Sequence, residues 1–289
     1  MDAPVNVTAP PAADATLAVC ATTPSAAAAT STATAVSPLA TDNVAVSVGA
    51  RELVSNLTVS FAAGEFVAVL GRNGCGKTLT LHTLAGLREP AAGTVLIDGI
   101  PANQHNRRAV ARRLGLLAQD LEYGFVTTAL ETVLIGRHPH LSFWQWETAE
   151  DGQLAHTALA AVDLSDFSGR RTDTMSGGEQ RRLAIAALLA QAPGVYLLDE
   201  PTNHLDPHHQ LAVLNLFHGL ARGGSTVIAT LHDPTLAARF ADRALLLFGD
   251  GRWVMAPASE AIAAESLSSL YLTPMMEVRQ EGRRIFVPK

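Results

Sequence analysis

The stretch Glu65-Phe-Val-Ala-Val-Leu-Gly71-Arg72-Asn73-Gly74-Cys75-Gly76-Lys77-Thr78 limits this chain more than any other, because an apolar run ends in glycines and then opens a helix. Gly71, Gly76, Lys77 and Thr78 complete the pattern G-x-x-x-x-G-K-[ST], a P-loop. The glycines reach backbone conformations closed to other residues, so successive N–H groups can turn inward around an anion while the following helix adds its positive end. Lys77 would sit on the β- and γ-phosphates and the Thr78 hydroxyl on Mg²⁺. The alternative is a glycine-rich turn with a surface lysine. The buried-type strand before it, and the helical segment Leu79 to Leu84 closed by Gly86 after it, favour nucleotide binding.

The rest of the composition is bounded accordingly. At 289 residues with 48% hydrophobic side chains, the chain can bury one large core or two small ones. A net charge of -6 argues against a nucleic-acid surface, so no nucleic acid is expected as a partner. Cys20 and Cys75 are the only cysteines, which excludes a disulfide framework and suits a reducing compartment. No apolar run reaches the roughly 18 residues of a membrane span, and the first basic residue is Arg51, so a signal peptide is not expected. The chain reads as soluble, with a membrane partner still open to it.

From Met1 to about Thr41 the residues are nearly all Ala, Thr, Pro, Ser and Val, with too little bulky apolar surface to offset ordering entropy; residues 1–42 are expected to be a disordered tail. From Asn43 short strands follow, Val44 to Val48 and Leu53 to Phe61, spaced as hairpins. After the P-loop helix come a turn at Glu89 to Gly93, a strand from Thr94 to Ile97 and a turn at Asp98-Gly99. Arg107, Arg108, Arg112 and Arg113 read as a solvated helix face. Leu114 to Ala118 is a short buried strand ending in Gln119, and strand carboxyl ends are where open α/β sheets hold ligand groups.

The segment from Asp120 to Asp173 looks like a helical insertion, with a helix from Thr128 to Ile135, a break at Gly136 to His140, and a second helix from about Thr148 to Val162. His138 and His140 lack a third ligand at metal spacing and read as loop residues. Phe143, Trp144 and Trp146 in a polar loop suggest a partner surface. Met175-Ser176-Gly177-Gly178-Glu179-Gln180 then precedes an apolar-periodic helix. Ser176 with Glu179 forms a capping box; two glycines behind the cap are costly unless something approaches the backbone, so a second phosphate-binding terminus stays open beside it.

Val195 to Leu198 is an apolar strand ending in Asp199-Glu200-Pro201. Two acids at the end of a buried strand are tolerable where a metal neutralises one. Asp199 would orient Mg²⁺ and Glu200 would orient or deprotonate a water for attack on the γ-phosphate; a capping pair is the alternative. Asp206 and Pro207 open a helix whose face Leu211, Leu214, Phe217 and Leu220 pack, and Gly223-Gly224 close it. Thr226 to Leu231 is another buried-type strand with His232 at its end, placed for a γ-phosphate contact rather than as a structural histidine.

In that order and spacing, Gly71 to Thr78, Gln119, Ser176 to Gln180, Leu197 to Glu200, Asn203 to Asp206 and His232 resemble the ATP-binding subunit of an ABC transporter, over roughly Asn43 to Trp253. The resemblance implies an α/β fold: a P-loop NTPase core with a mixed sheet, an antiparallel β subdomain and a helical subdomain at about 120–190. It implies ATP held by Gly71, Arg72, Asn73, Gly74, Cys75, Gly76, Lys77, Thr78 and Leu79 of one chain and by Ser176, Gly177, Gly178, Glu179 and Asp206 of a second ATPase subunit, in a homodimer. Mg²⁺ would lie on Thr78, Gln119 and Asp199, with Glu200, His232, Gln119 and Lys77 catalytic. Thr132 to His140, the SGGE form of the signature, and Leu189-Ala-Gln191 are similar to the ATPases of importers for iron complexes (siderophores, haem) and cobalamin. That narrower likeness implies membrane permease subunits contacting the region around 120–150, a periplasmic or extracellular binding protein acting indirectly, and a peripheral place on the cytoplasmic face of the inner membrane.

Three positions depart from the family pattern. Val48 stands where an aromatic residue usually stacks on adenine, Leu79 replaces a hydroxyl residue, and Met175 replaces leucine, a near volume-conserving swap. Cys75, at a helix N-terminus where a thiol pKa tends to fall, is expected to make the ATPase sensitive to alkylation, with ATP protecting. Residues 256–289 read as a short helix through Leu270 and a hairpin around Glu281-Gly282. A rival class, ABC ATPases of translation or DNA repair, usually carries two ATPase units or a long coiled coil, and this chain has one unit and a short insertion.

Overall fold

The computed structural model describes residues 36–119, 126–142 and 144–289. The expected disordered tail up to residue 35, and Phe143, lie outside these. An antiparallel layer comes first: β1 (Leu39–Val48) pairs with β2 (Arg51–Leu57) and, near its start, with β3 (Ser60–Phe61). β4 (Phe66–Leu70) leaves that layer and runs into α1 (Lys77–Leu84). β5 (Ala92–Ile97) returns to β1, and Asp98 and Gly99, both at positive φ, turn it into β6 (Ile100–Pro101). α2 (Arg107–Arg113) and β7 (Leu114–Leu117) lead to three mutually packed helices, α3 (Ala129–Ile135), α4 (Ala149–Ala160) and α5 (Gly177–Gln191).

The chain then alternates: β8 (Val195–Leu198), α6 (Pro207–Arg222), β9 (Thr226–Thr230), α7 (Pro234–Phe240) and β10 (Arg243–Leu247). It closes with β11 (Trp253–Pro257), α8 (Ala258–Ala261), α9 (Ala264–Tyr271) and the hairpin β12 (Met275–Gln280) and β13 (Arg283–Pro288).

The central sheet has the order β11-β10-β4-β9-β8-β7, parallel except for β11 at its edge. Every residue of β4, β8 and β9 is buried, which is why these strands read as unbroken apolar runs instead of alternating ones. The alternation survives in where each side chain goes. Phe66, Ala68 and Leu70 enter the core built with α5 and α6, whereas Val67 and Val69 enter the one built with the antiparallel layer and α1. Because β4, β9 and β8 are parallel neighbours, their carboxyl ends set Gly71, His232 and Asp199-Glu200 side by side.

One boundary differs from expectation. The first strand begins at Leu39, not beyond residue 42: Leu39 is fully buried and pairs with Phe61 and Ile97. One leucine in a Ser/Pro/Ala context carries no periodic signal, yet burying it contributes about 2 kcal/mol. The α2 arginines are exposed as expected, but Arg108 and Arg112 also donate through Nε to Pro139 O, at 3.0 and 2.6 Å, tying α2 to the His138-Pro139-His140 turn.

Candidate active site

Beyond β4 the backbone turns through Gly74 (φ +75°) and Gly76 (φ +103°), left-handed conformations that a side chain would strain. Gly71 is needed for space: a Cβ there would lie 2.5 Å from Cys75 Sγ and 2.6 Å from Leu247 O. Lys77 is buried, and its Nζ donates to Gly71 O (2.9 Å) and Arg72 O (3.3 Å), so the ammonium lies across the loop.

The lowered thiol pKa expected of Cys75 is overturned. Its thiol sits under the loop between Gly71 and Gly249, 3% exposed, and burial pushes its pKa up, a stronger effect than the lowering by Lys77 and the backbone N–H groups. Desolvation of the thiolate outweighs the helix N-terminus.

Asp199 is fully buried at the end of β8. Thr230 Oγ1 donates to its Oδ1 (2.7 Å), while its Oδ2 is buried with no hydrogen-bond partner among the described residues. The orphaned Asp199 oxygen, the half-buried Thr78 hydroxyl and the Gln119 amide oxygen are all hard donors, and that chemistry fits Mg²⁺.

Glu200 follows at φ +50°, a strained conformation for a non-glycine residue and one that clusters at functional sites. Its N–H donates to Thr230 Oγ1 (2.7 Å). Its side chain is held on both oxygens: His232 Nε2 lies 2.5 Å from Oε1, and Asn203 Nδ2 donates to Oε2.

A cavity of about 600 Å³ is lined by Asn73, Gly74, Gly76, Lys77, Thr78 and Leu79 of the loop and by Gln119, Glu200 and His232; Asp199 is not part of its lining. Val48, Arg51 and Leu53 line it as well, with Val48 half exposed. A larger cavity of about 820 Å³ lies beside α1 and α2, lined by Leu87, Val110 and Leu116 among others, and none of the motif residues face it.

Ser176, Gly177, Gly178, Glu179 and Asp206 line neither cavity. The capping box is present: Glu179 N–H donates to Ser176 Oγ (3.3 Å) and Ser176 N–H to Glu179 Oε2 (2.7 Å), a bond that lowers the Glu179 pKa. The glycines separate in role. A Cβ on Gly178 would meet His204 O at 3.1 Å, whereas a Cβ on Gly177 would meet nothing within 4 Å, so its backbone is open to approach from outside. Asp206 caps α6 by accepting from His209 N–H (2.9 Å).

The ABC transporter family model matches residues 54–203, about half of the chain, across the P-loop, Gln119, Ser176 to Gln180 and Asp199-Glu200. The chain belongs to the ABC transporter family. It is an ATP-binding subunit of that family, an ATPase coupled to transport. The hemin import ATP-binding protein HmuV of Pseudomonas aeruginosa is 38% identical to it over 250 residues, 85% of this chain and 96% of that one. The ferric enterobactin transport ATP-binding protein FepC of Escherichia coli is 37% identical over 235 residues, 81% and 86% of the two chains. Among solved structures, a metal-chelate type ABC transporter in an inward-facing conformation superposes with a TM-score of 0.76 at 28% identity, over 87% of this chain and 97% of that one.

Within this ABC subunit, sequence reasoning missed Thr230 and Arg181, and it named Asn203 without giving its amide a role. Thr230 and Arg181 act on groups 18 to 63 residues away. The only local signal was Asn203, three residues after the acid it holds.

Proposed function

We propose that this chain is the ATPase motor of an importer for an iron complex, haem or a ferric siderophore, or for cobalamin, and that it works as a homodimer. The observation that carries this reading is a division: the P-loop, Gln119, Glu200 and His232 share one cavity, while Ser176 and Gly177 lie outside it, exposed. A second copy, contributing Ser176, Gly177, Gly178, Glu179 and Asp206, would complete each site. The cargo class rests on the relatives that import hemin and ferric enterobactin and on the stretch from Thr132 to His140.

In this mechanism the backbone N–H groups from Arg72 to Leu79 cradle the phosphates, and Lys77 swings from its carbonyl contacts onto the β- and γ-oxygens. Glu200, oriented by His232 and Asn203, accepts a proton from the attacking water as its oxygen bonds to the γ-phosphorus and the bond to the β–γ bridging oxygen breaks. Thr78, Gln119 and Asp199 would hold Mg²⁺, which supplies neutralisation of the charge on the transferred phosphoryl group. Gln119 and His232 line the same cavity and would orient the nucleophile and the γ-phosphate. Val48 and Arg51, which line the same cavity, would meet the nucleobase with aliphatic and cationic contact in place of an aromatic stack.

Permease subunits would dock near the helical insertion, where Trp144 and Trp146 are 89% and 86% exposed. The chain would thus be peripheral on the cytoplasmic face of the membrane, reaching an external binding protein only through the permease. A tagged full chain captured from detergent-solubilised membranes should bring down a many-helix membrane protein whose substrate identifies the cargo. Capture of ribosomal or DNA-repair proteins, with nothing from the membrane, would contradict the importer reading.

A further inference from the structure

Arg181 is 2% exposed and stands on α5, five residues after Ser176. Its guanidinium reaches two strand ends at once. Nη1 donates to Ala118 O (2.5 Å) and Gln119 O (3.3 Å), just beyond β7; Nη2 donates to Asp199 O (2.5 Å) and Glu200 O (2.8 Å), just beyond β8. A buried cation is costly unless its donors are used. Here two nitrogens of one planar fork serve four carbonyls, a geometry that guanidinium offers and a lysine ammonium does not.

The carbonyls are not arbitrary ones. They belong to Gln119 and Glu200, whose side chains line the cavity, and to the residue before each. Gln180, the neighbour on α5, donates to Thr172 O (3.0 Å). Arg181 therefore bolts the start of α5, which carries exposed Ser176 and Gly177, to the backbone that aims Gln119 and Glu200. A displacement of that helix start cannot leave the two strand ends where they are without breaking buried, charge-assisted hydrogen bonds.

We propose that Arg181 is a positioning residue that couples the two ATP sites of the dimer: engagement of Ser176 and Gly177 on the nucleotide of one site is transmitted, through its four carbonyl contacts, to Gln119 and Glu200 in the other. This inference rests on the dimeric reading above. Its consequence is cooperativity, since binding at either site biases the same element.

The test measures ATP hydrolysis against ATP concentration for the full chain, Arg181→Lys, Arg181→Gln and Glu200→Gln, with ATP affinity taken separately by calorimetry. The parent should show a Hill coefficient clearly above 1. Arg181→Lys should lower kcat by about tenfold or more and bring the Hill coefficient to about 1, with ATP affinity changed by less than about twofold, since the P-loop is untouched. Should Arg181→Gln fail to fold, Arg181→Lys, which keeps the cation, carries the test. Three results would overturn the coupling: variants with the parent's kcat and Hill coefficient, a lowered kcat with cooperativity intact, or a parent that is itself non-cooperative. Glu200→Gln separates the two levels of claim. If it hydrolyses like the parent, the site reading fails; if it is inactive while Arg181→Lys is unchanged, only the coupling fails.

Discussion

His232 and Asn203 each occupy one oxygen of Glu200, and the left-handed backbone at Glu200 fixes where that carboxylate starts. In the proposed mechanism, a base so held needs no reorganisation when water arrives. Asn203→Ala should therefore lower kcat by about tenfold, the equivalent of about 1.5 kcal/mol for one hydrogen bond to a charged group, with the KM for ATP unchanged in a steady-state assay; a shift confined to KM would assign Asn203 to binding instead. Lys77→Ala should lose ATP affinity in calorimetry, and unchanged binding would remove the P-loop from the account. Cys75 carries the opposite expectation to the one its sequence position suggests. Buried under the loop with its pKa raised, it should resist alkylation in the folded chain and react on denaturation, which a thiol titration reads directly. These contrasts show what sequence conveys at this scale. Gly71, Lys77, Asp199 and Glu200 are legible because their types and spacing are local. The burial of Cys75 is not, because it depends on Gly249 and Leu247 folding over it.

At the scale of elements, β4, β7, β8 and β9 were legible as apolar runs while β10 was not read, and the helices at 129–135, 149–160 and 177–191 began at their Thr128, Thr148 and Ser176 caps. What escaped was how the elements lock together. Arg137, in the break after α3, donates through Nε to Asp151 Oδ1 (2.8 Å) on α4 and through Nη1 to Ala190 O (2.7 Å) near the end of α5, a nearly buried tie among all three helices. Its bonds, with those from Thr148, hold the Asp151 carboxyl at about 2, below its ordinary 3.8. With the folded pKa depressed, the stabilisation is complete above pH 3.8 and is lost as the pH falls through about 2. Asp151→Asn should flatten that acid limb of the unfolding curve, and Arg137→Ala, which strands the acid, should cost about 3 kcal/mol by denaturant titration. A variant as stable as the parent would show that solvent already screens the pair. The start of β1 escaped for a different reason: Leu39 is anchored by Phe61 and Ile97, distant partners that a window of neighbours cannot contain.

For the whole molecule, the topology brings four groups to one rim and leaves a fifth outside. β4, β9, β8 and β7 run parallel, so the P-loop, His232, Glu200 and Gln119 all emerge at one edge of the sheet. The helical insertion between β7 and β8 carries Ser176 and Gly177 to a surface that their own chain does not use. No helix among the described residues is long and apolar enough to cross a membrane. The central claim is that ATP joins two copies through those exposed residues, and light scattering on purified Glu200→Gln with and without ATP tests it most directly. The account predicts a monomer without nucleotide and a dimer of twice the mass with ATP, abolished when Ser176→Arg is added. A Glu200→Gln chain that stays monomeric at saturating ATP would contradict it.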